Sequence, residues 1–262
     1  MVSTENVMPP NWGIVIQARL GSSRLPEKMI KPFAGYTSLL ELILTKLLET
    51  FPAERIILAT SDQPADDIIA EKAMKKRVKV FRGSEKDVLD RFLQATSANL
   101  LTHVVRVCAD NPFLNVKFIQ QLIEMGCAHP DQDYISFFLN DGRPVIRSHS
   151  GFFAEWVSLS ALQNAAAATT DNFFREHVTN FIYSHPDDFR ILKMPLLPAR
   201  ETFYARVRLT IDTVSDFDIA ESLFLKLFKG RVNIDPEEIY EYLEENPQIK
   251  NEMRINIQNN EK

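Results

Sequence analysis

Cysteine is scarce in this chain of 262 residues: Cys108 and Cys127 are the only two. Two are too few for a disulfide framework, and their separation matches no zinc motif, so a reducing compartment is expected. Positive charge is not in excess either, with 30 Lys and Arg against 35 Asp and Glu and a formal net charge of -5. Nucleic-acid binders carry a basic face, and this overall balance offers none. No apolar run reaches the roughly 18 residues that a membrane span needs. Residues 1–11 lack a charged segment followed by an apolar one, so no signal peptide is expected. His103, His129, His149 and His185 form no metal-ligand spacing, and neither a Walker A loop nor G-x-G-x-x-G is present. Together these absences point to a cytoplasmic protein that engages no membrane and no nucleic acid.

Hydrophobic residues make up 45% of the chain, enough to bury a sizeable core and to exclude disorder as the main state. Short β-branched runs alternate with longer amphipathic ones. Residues 13–18, 55–60, 78–81, 103–108 and 134–138 read as strands. Between them, residues 39–50, 64–76, 87–99 and 116–125 read as helices, with Asp66 and Asp67 in the first turn of the second, where acids suit the helix dipole. Such an alternation implies an α/β fold, a mostly parallel sheet with helices on both faces. The second half is less regular. Residues 140–151 read as a loop or hairpin; 159–168, 172–184, 215–228 and 236–245 as helices; 190–194 and 206–211 as strands. No repeat or low-complexity linker divides the chain. We expect one domain over 13–245, a flexible N-terminal tail over 1–12 and a fraying polar tail over 246–262.

Ligands of parallel α/β sheets bind at the carboxyl ends of the strands, so the residues after each strand come first. The first strand ends in Arg19, followed by Gly21, Ser22, Ser23, Arg24, Lys28 and Lys31. Gly21 permits a tight turn and close approach of backbone to an anion, the serines can donate hydrogen bonds, Arg24 can grip phosphate with two donors and Lys28 adds a point charge. Only Glu27 opposes these cations. Polyphosphate binding and a solvated basic loop are the two readings. The fourth strand ends in Cys108-Ala109-Asp110-Asn111-Pro112, and the expected strand over 206–211 ends in Asp212-Thr213. Two carboxylates from separate strand ends suit Mg²⁺, which takes one or two carboxylates plus phosphate oxygens and water. Helix or turn capping is the alternative for each acid. Glu176 and His177 read as sugar contacts or as a surface helix, and Arg143 and Arg147 as partners of an acidic sugar or as solvated loop arginines. Phe152, Phe153 and Trp156 line either a sugar pocket or an oligomer interface. Cys108 reads as a small core residue rather than a nucleophile.

The segment Ile16-Gln17-Ala18-Arg19-Leu20-Gly21-Ser22-Ser23-Arg24-Leu25-Pro26 resembles the opening of cytidylyltransferases of the spore-coat polysaccharide F type. More distantly, it is similar to the 3-deoxy-manno-octulosonate and acylneuraminate cytidylyltransferases. The likeness continues through Gly83-Ser84-Glu85-Lys86-Asp87-Val88-Leu89-Asp90-Arg91, Val107-Cys108-Ala109-Asp110-Asn111-Pro112 and Leu209-Thr210-Ile211-Asp212-Thr213. The resemblance implies a nucleotide-diphosphosugar-transferase-like, Rossmann-like fold and Mg²⁺-dependent transfer of CMP from CTP to a sugar, with release of pyrophosphate. It implies that Arg19, Arg24 and Lys28 bind the CTP phosphates, with Gln17, Gly21 and Ser22 beside them. Asp110 and Asp212 then hold Mg²⁺, and Thr60, Ser61, Arg82 and Ser84 surround cytosine and ribose. Arg19, Lys28 and Asp110 are the implied catalytic residues; the implied partners are CTP and an acidic keto-sugar, and a homodimer is implied. Departures are Glu27 and Ala109, each where the family commonly has glycine, and Phe153, where an acid is common; Glu155 is kept. Alternatives of other classes are a glycosyltransferase or another nucleotidyltransferase of this fold, and a catalytically weak nucleotide-binding homologue.

Overall fold

A computed structural model describes residues 9–22 and 24–259. Ser23 of the basic loop, residues 1–8 of the expected N-terminal tail and residues 260–262 lie outside the described residues. The first half follows the expected alternation: β1 (Trp12–Gln17), α1 (Leu39–Leu48), β2 (Ile56–Ser61), α2 (Asp67–Lys75), β3 (Lys79–Gly83), α3 (Val88–Ala98), β4 (His103–Cys108), α4 (Val116–Ala128) and β5 (Tyr134–Phe138). The second half contains β6 (Glu155–Ser158), α5 (Leu159–Ala168), α6 (Asn172–Glu176), α7 (Asn180–Ser184), β7 (Ile191–Pro195), α8 (Glu201–Arg206), α9 (Val214–Leu227), α10 (Pro236–Glu245) and α11 (Pro247–Asn259).

Local chemistry sets the helix starts. Ser38 caps α1 by accepting from the Glu41 amide, Asp87 caps α3 through the Asp90 amide, and Asn115 caps α4 through that of Lys117. Thr213 and Asp216 form a reciprocal capping box on α9. The strands assemble into one seven-stranded sheet in the order β3-β2-β1-β4-β6-β5-β7. Only β6 runs against its neighbours, pairing antiparallel with both β4 and β5. Alternation along each strand divides the core in two. Ile14, Ile16, Val105 and Val107 pack against α1, α4, α9 and α10, whereas Val15, Val104 and Val157 pack against α3, α5 and α7. Helices therefore cover both faces, as expected.

Five differences lie after β5, the first being α8, where no element was expected. β6 was not expected; its Trp156 is fully buried and lies where a side chain on Gly126 of α4 would collide with it, at 2.3 Å. Residues 206–211, expected as a strand, are not one: α8 ends at Arg206, and the buried segment after it bonds to loops, with the Leu209 amide on the His149 carbonyl at 2.8 Å and the Ile211 amide on the Asp110 carbonyl at 3.0 Å. The single helix expected over 172–184 breaks into α6 and α7 around Val178, which is buried with φ 28. Finally, α11 occupies most of the expected C-terminal tail. A polar sequence concealed it, but Met253 is 1% exposed against the core.

Candidate active site

The carboxyl ends of β1 and β4 open into a cleft of about 410 Å³. Five cations line it (Arg19, Arg24, Lys28, Arg106 and Arg147) against three acids (Asp110, Glu176 and Asp212), so the cleft favours an anion although the chain is acidic. Its lining includes Gln17, Gly21 and Ser22 from the expected loop, and Asn111, Tyr183 and His177 from elsewhere.

The basic loop is held from beneath. Asp66, 2% exposed, accepts from the Leu20 amide at 2.8 Å and from the hydroxyls of Thr60 and Ser61. It thus anchors the loop rather than lying open on the first turn of α2, and sequence position alone did not reveal that role. Gly21 faces Glu85: an added Cβ would stand 2.6 Å from the Glu85 carboxylate, so only glycine fits without displacing that side chain. Ser22 accepts from the Leu25 amide at 3.3 Å. Glu27 has φ 57 and is exposed, which gives a physical reason for the glycine common at this place in similar sequences. Its side chain does not line the cleft. Ala109 is 2% exposed and packs in the core, so its methyl group does not narrow the cleft.

Three cations of the loop have acidic or carbonyl partners, whereas Lys31 stands over the Phe217 ring. Lys28 Nζ donates to Asp110 Oδ2 at 2.9 Å and to the Ile211 carbonyl at 2.6 Å. Arg24 Nη2 donates to Asp212 Oδ1 at 2.9 Å. Arg19 donates to the Glu85 carbonyl at 3.1 Å and pairs with Glu176 at 3.4 Å. A residue overlooked in the sequence stands behind Asp212. Arg208 has a fully buried side chain, pairs with Asp216 at 2.6 Å and Asp212 at 3.4 Å, and lies 2.7 Å from His149 Nδ1. Desolvation opposes ionisation of Asp216, yet the hydrogen bond and charge of Arg208 keep its carboxyl below the usual range.

The structure brings Gln17, Arg19, Gly21, Ser22, Arg24, Lys28, Asp110 and Asp212 to one cleft. It does not bring Thr60, Ser61, Arg82 or Ser84 there. Thr60 and Ser61 are buried with their hydroxyls on Asp66. Arg82 turns to Asp67 and to the carbonyls of Ser61 and Gln63, and the Ser84 hydroxyl accepts from the Asp87 amide. Local turns and caps engage polar atoms of all four, so their expected place around a nucleoside rests on the family resemblance alone. Of the two loop arginines, Arg147 lines the cleft, whereas Arg143 pairs with Asp141. Phe152 and Trp156 are core, which removes them from any oligomer interface; Phe153, 1% exposed, reaches the cleft wall. Cys108 also lines the cleft.

Among the described residues no group of three or more His, Cys, Asp or Glu side chains is placed to hold a metal, and no helix is long and apolar enough to cross a membrane.

Comparison with known proteins gives a consistent result. A family model described as "Cytidylyltransferase" matches residues 13–255. An uncharacterised protein of Methanocaldococcus jannaschii is 36% identical over 241 residues, covering 90% of this chain and 92% of the relative. The spore coat polysaccharide biosynthesis protein SpsF of Bacillus subtilis is 32% identical over 244 residues, covering 91% and 96%. Among solved structures, a cytidylyltransferase from Leptospira borgpetersenii superposes with a TM-score of 0.80 at 27% identity, covering 92% of this chain and 96% of that one.

Proposed function

The chain belongs to the cytidylyltransferase family, and on that premise we propose that it transfers CMP from CTP to an acidic keto-sugar for a surface polysaccharide. The observation that carries this reading is the pairing of the loop cations with two acids, Lys28 with Asp110 and Arg24 with Asp212. A triphosphate needs those cations, and a divalent cation needs those acids. The surface-polysaccharide setting is supported by the name of the B. subtilis relative.

The donor chemistry fits Mg²⁺. Asp110 and Asp212 are brought together by the bond between the Ile211 amide and the Asp110 carbonyl. They supply the one or two carboxylates that Mg²⁺ takes when phosphates and water complete its shell. When bound there, the ion neutralises charge on the phosphates. Arg24 and Lys28 hold the β- and γ-phosphates and stabilise the charge that gathers on the leaving pyrophosphate. Asp66 and Gly21 fix the loop that carries these cations. A sugar hydroxyl attacks the α-phosphorus in line with the pyrophosphate oxygen; one oxygen–phosphorus bond forms as the other breaks, and the hydroxyl proton passes to water. Positioning and charge do the work, and no covalent enzyme intermediate is needed. A homodimer and a cytoplasmic location belong to the same proposal on the family resemblance alone, and sedimentation tests the first.

The test is pyrophosphate release from CTP and Mg²⁺ with a panel of keto-sugar acids. Turnover with one of them is the expected result. Measurable CTP binding with no turnover of any sugar sinks the reading, and tighter binding of UTP than of CTP redirects it to another nucleotidyltransferase.

A further inference from the structure

One buried carboxylate stands behind the cleft without lining it. Glu155 is 0% exposed and sits opposite Arg106 in the pairing of β6 with β4. Because β6 runs antiparallel, its first residue lies toward the cleft end of β4. Glu155 Oε2 accepts from Arg106 Nη1 at 2.5 Å. Its other oxygen accepts from the Tyr134 hydroxyl and, at 2.9 Å, from that of Thr179. Thr179 reaches it because the chain breaks between α6 and α7.

Arg106 is 8% exposed and lines the cleft floor. Its Nη2 donates to Gln17 Oε1 at 3.2 Å. A guanidinium has donors only, so Gln17 must turn its amide oxygen toward Arg106. The amide nitrogen then faces the other way, on a residue that lines the cleft, and has no hydrogen-bond partner among the described residues. Arg106 Nε is also buried without a partner. That Nε lies beneath the floor, so the Gln17 amide nitrogen is the donor left for a ligand oxygen.

We propose that Glu155, acting through Arg106, is a positioning residue that aims the Gln17 N–H at an oxygen of the sugar substrate, which moves Gln17 from the CTP phosphates, where the family resemblance put it, to the sugar. The proposal rests on the cytidylyltransferase reading above and adds a residue that reads the sugar. Arg147 and Tyr183 share this end of the cleft, with Tyr183 in the field of Glu155, Arg106 and Arg147. The cations read as triphosphate ligands stand instead with Asp110 and Asp212. A sugar carries acceptor oxygens on hydroxyl and carboxylate groups alike. A free glutamine amide could present either its oxygen or its nitrogen to them; the relay leaves only the nitrogen, and a donor held in place by a supporting shell binds without first being ordered.

The test uses the full chain, Mg²⁺, CTP and the keto-sugar panel, with sugar KM and kcat from pyrophosphate release and CTP affinity from calorimetry. Gln17→Glu keeps the shape and the bond to Arg106 but faces the cleft with an oxygen. It should raise sugar KM about tenfold or more and leave CTP affinity within about twofold. Glu155→Gln should raise KM similarly, and its effect should shrink to less than about twofold in the Gln17→Glu background, because both changes act on one contact. Thr179→Val removes another partner of Glu155 but leaves Arg106 alone, so sugar KM should stay near wild type. Should Glu155→Gln fail to fold, Gln17→Glu and Gln17→Ala decide alone. A wild-type sugar KM in Gln17→Glu, or CTP affinity falling in step with sugar affinity, overturns the proposal while the enzyme reading stands. CTP binding without turnover of any sugar defeats that reading, and the proposal with it.

Discussion

The half of the sheet from β3 to β4 and the half from β6 to β7 serve one cleft by different means. In the first, side chains reach the site because they follow parallel strands directly, as Arg19 follows β1 and Asp110 follows β4. In the second, side chains that line the cleft or stand behind it arrive by reversal: Glu155 on an antiparallel strand and Thr179 at a helix break behind it, Asp212 in its lining at the end of an irregular buried segment. Sequence neighbours position the first group, whereas buried charge partners position the second. The lesson is that a site's chemistry can be legible in sequence while its scaffolding is not.

The comparison is tested most severely at the Arg208–Asp216 pair. Asp216→Asn leaves the fully buried Arg208 undercompensated and should cost about 3–5 kcal/mol of stability in chemical denaturation. A loss near zero would show that the second half does not depend on buried charge. Asp110→Asn, at a strand end, should do the reverse. We expect kcat to fall about 10²–10³-fold, with the unfolding midpoint near wild type; retained activity excludes Asp110 as a metal ligand.

A third test sharpens the contrast at a buried cation of the first half. Lys46 of α1 is 0% exposed, and burial pushes its pKa down to about 7. The unfolded chain, with the usual value of 10.5, binds more protons between these limits. Stability should therefore rise as pH rises from about 7 to 10.5. Lys46→Met should flatten that rise and stabilise the protein by about 2–4 kcal/mol at neutral pH, below the full value of the shift. Denaturation across this pH range checks it; a flat wild-type profile rules it out. Next in size, Arg24→Ala should weaken CTP about 10–100-fold, the worth of a charged hydrogen bond, and leave cytidine binding nearly unchanged. Equal losses for both ligands would show that Arg24 does not touch phosphate. The smallest effect is expected far from both halves of the site. Lys250 and Glu244 form an exposed pair at 2.7 Å, and Lys250→Ala should change stability by less than about 0.5 kcal/mol.

By itself, the order of residues was enough for the α/β class, the first five strands, the basic loop and Asp110 after β4. Those features rest on periodicity and on short-range rules that act within about ten residues of chain. Tertiary structure decided the rest. It placed β6 between β4 and β5, with Trp156 packed on Gly126. It turned residues 206–211 from an expected strand into a buried segment that presents Asp212. It drew Thr60, Ser61, Arg82 and Ser84 away from the cleft by giving their polar atoms nearer partners. It also joined Glu155, Arg106 and Gln17, which lie far apart in the chain, into one relay. Each of these outcomes depends on which buried polar groups find partners once the chain is folded, and that is settled by distance in space rather than by spacing in sequence.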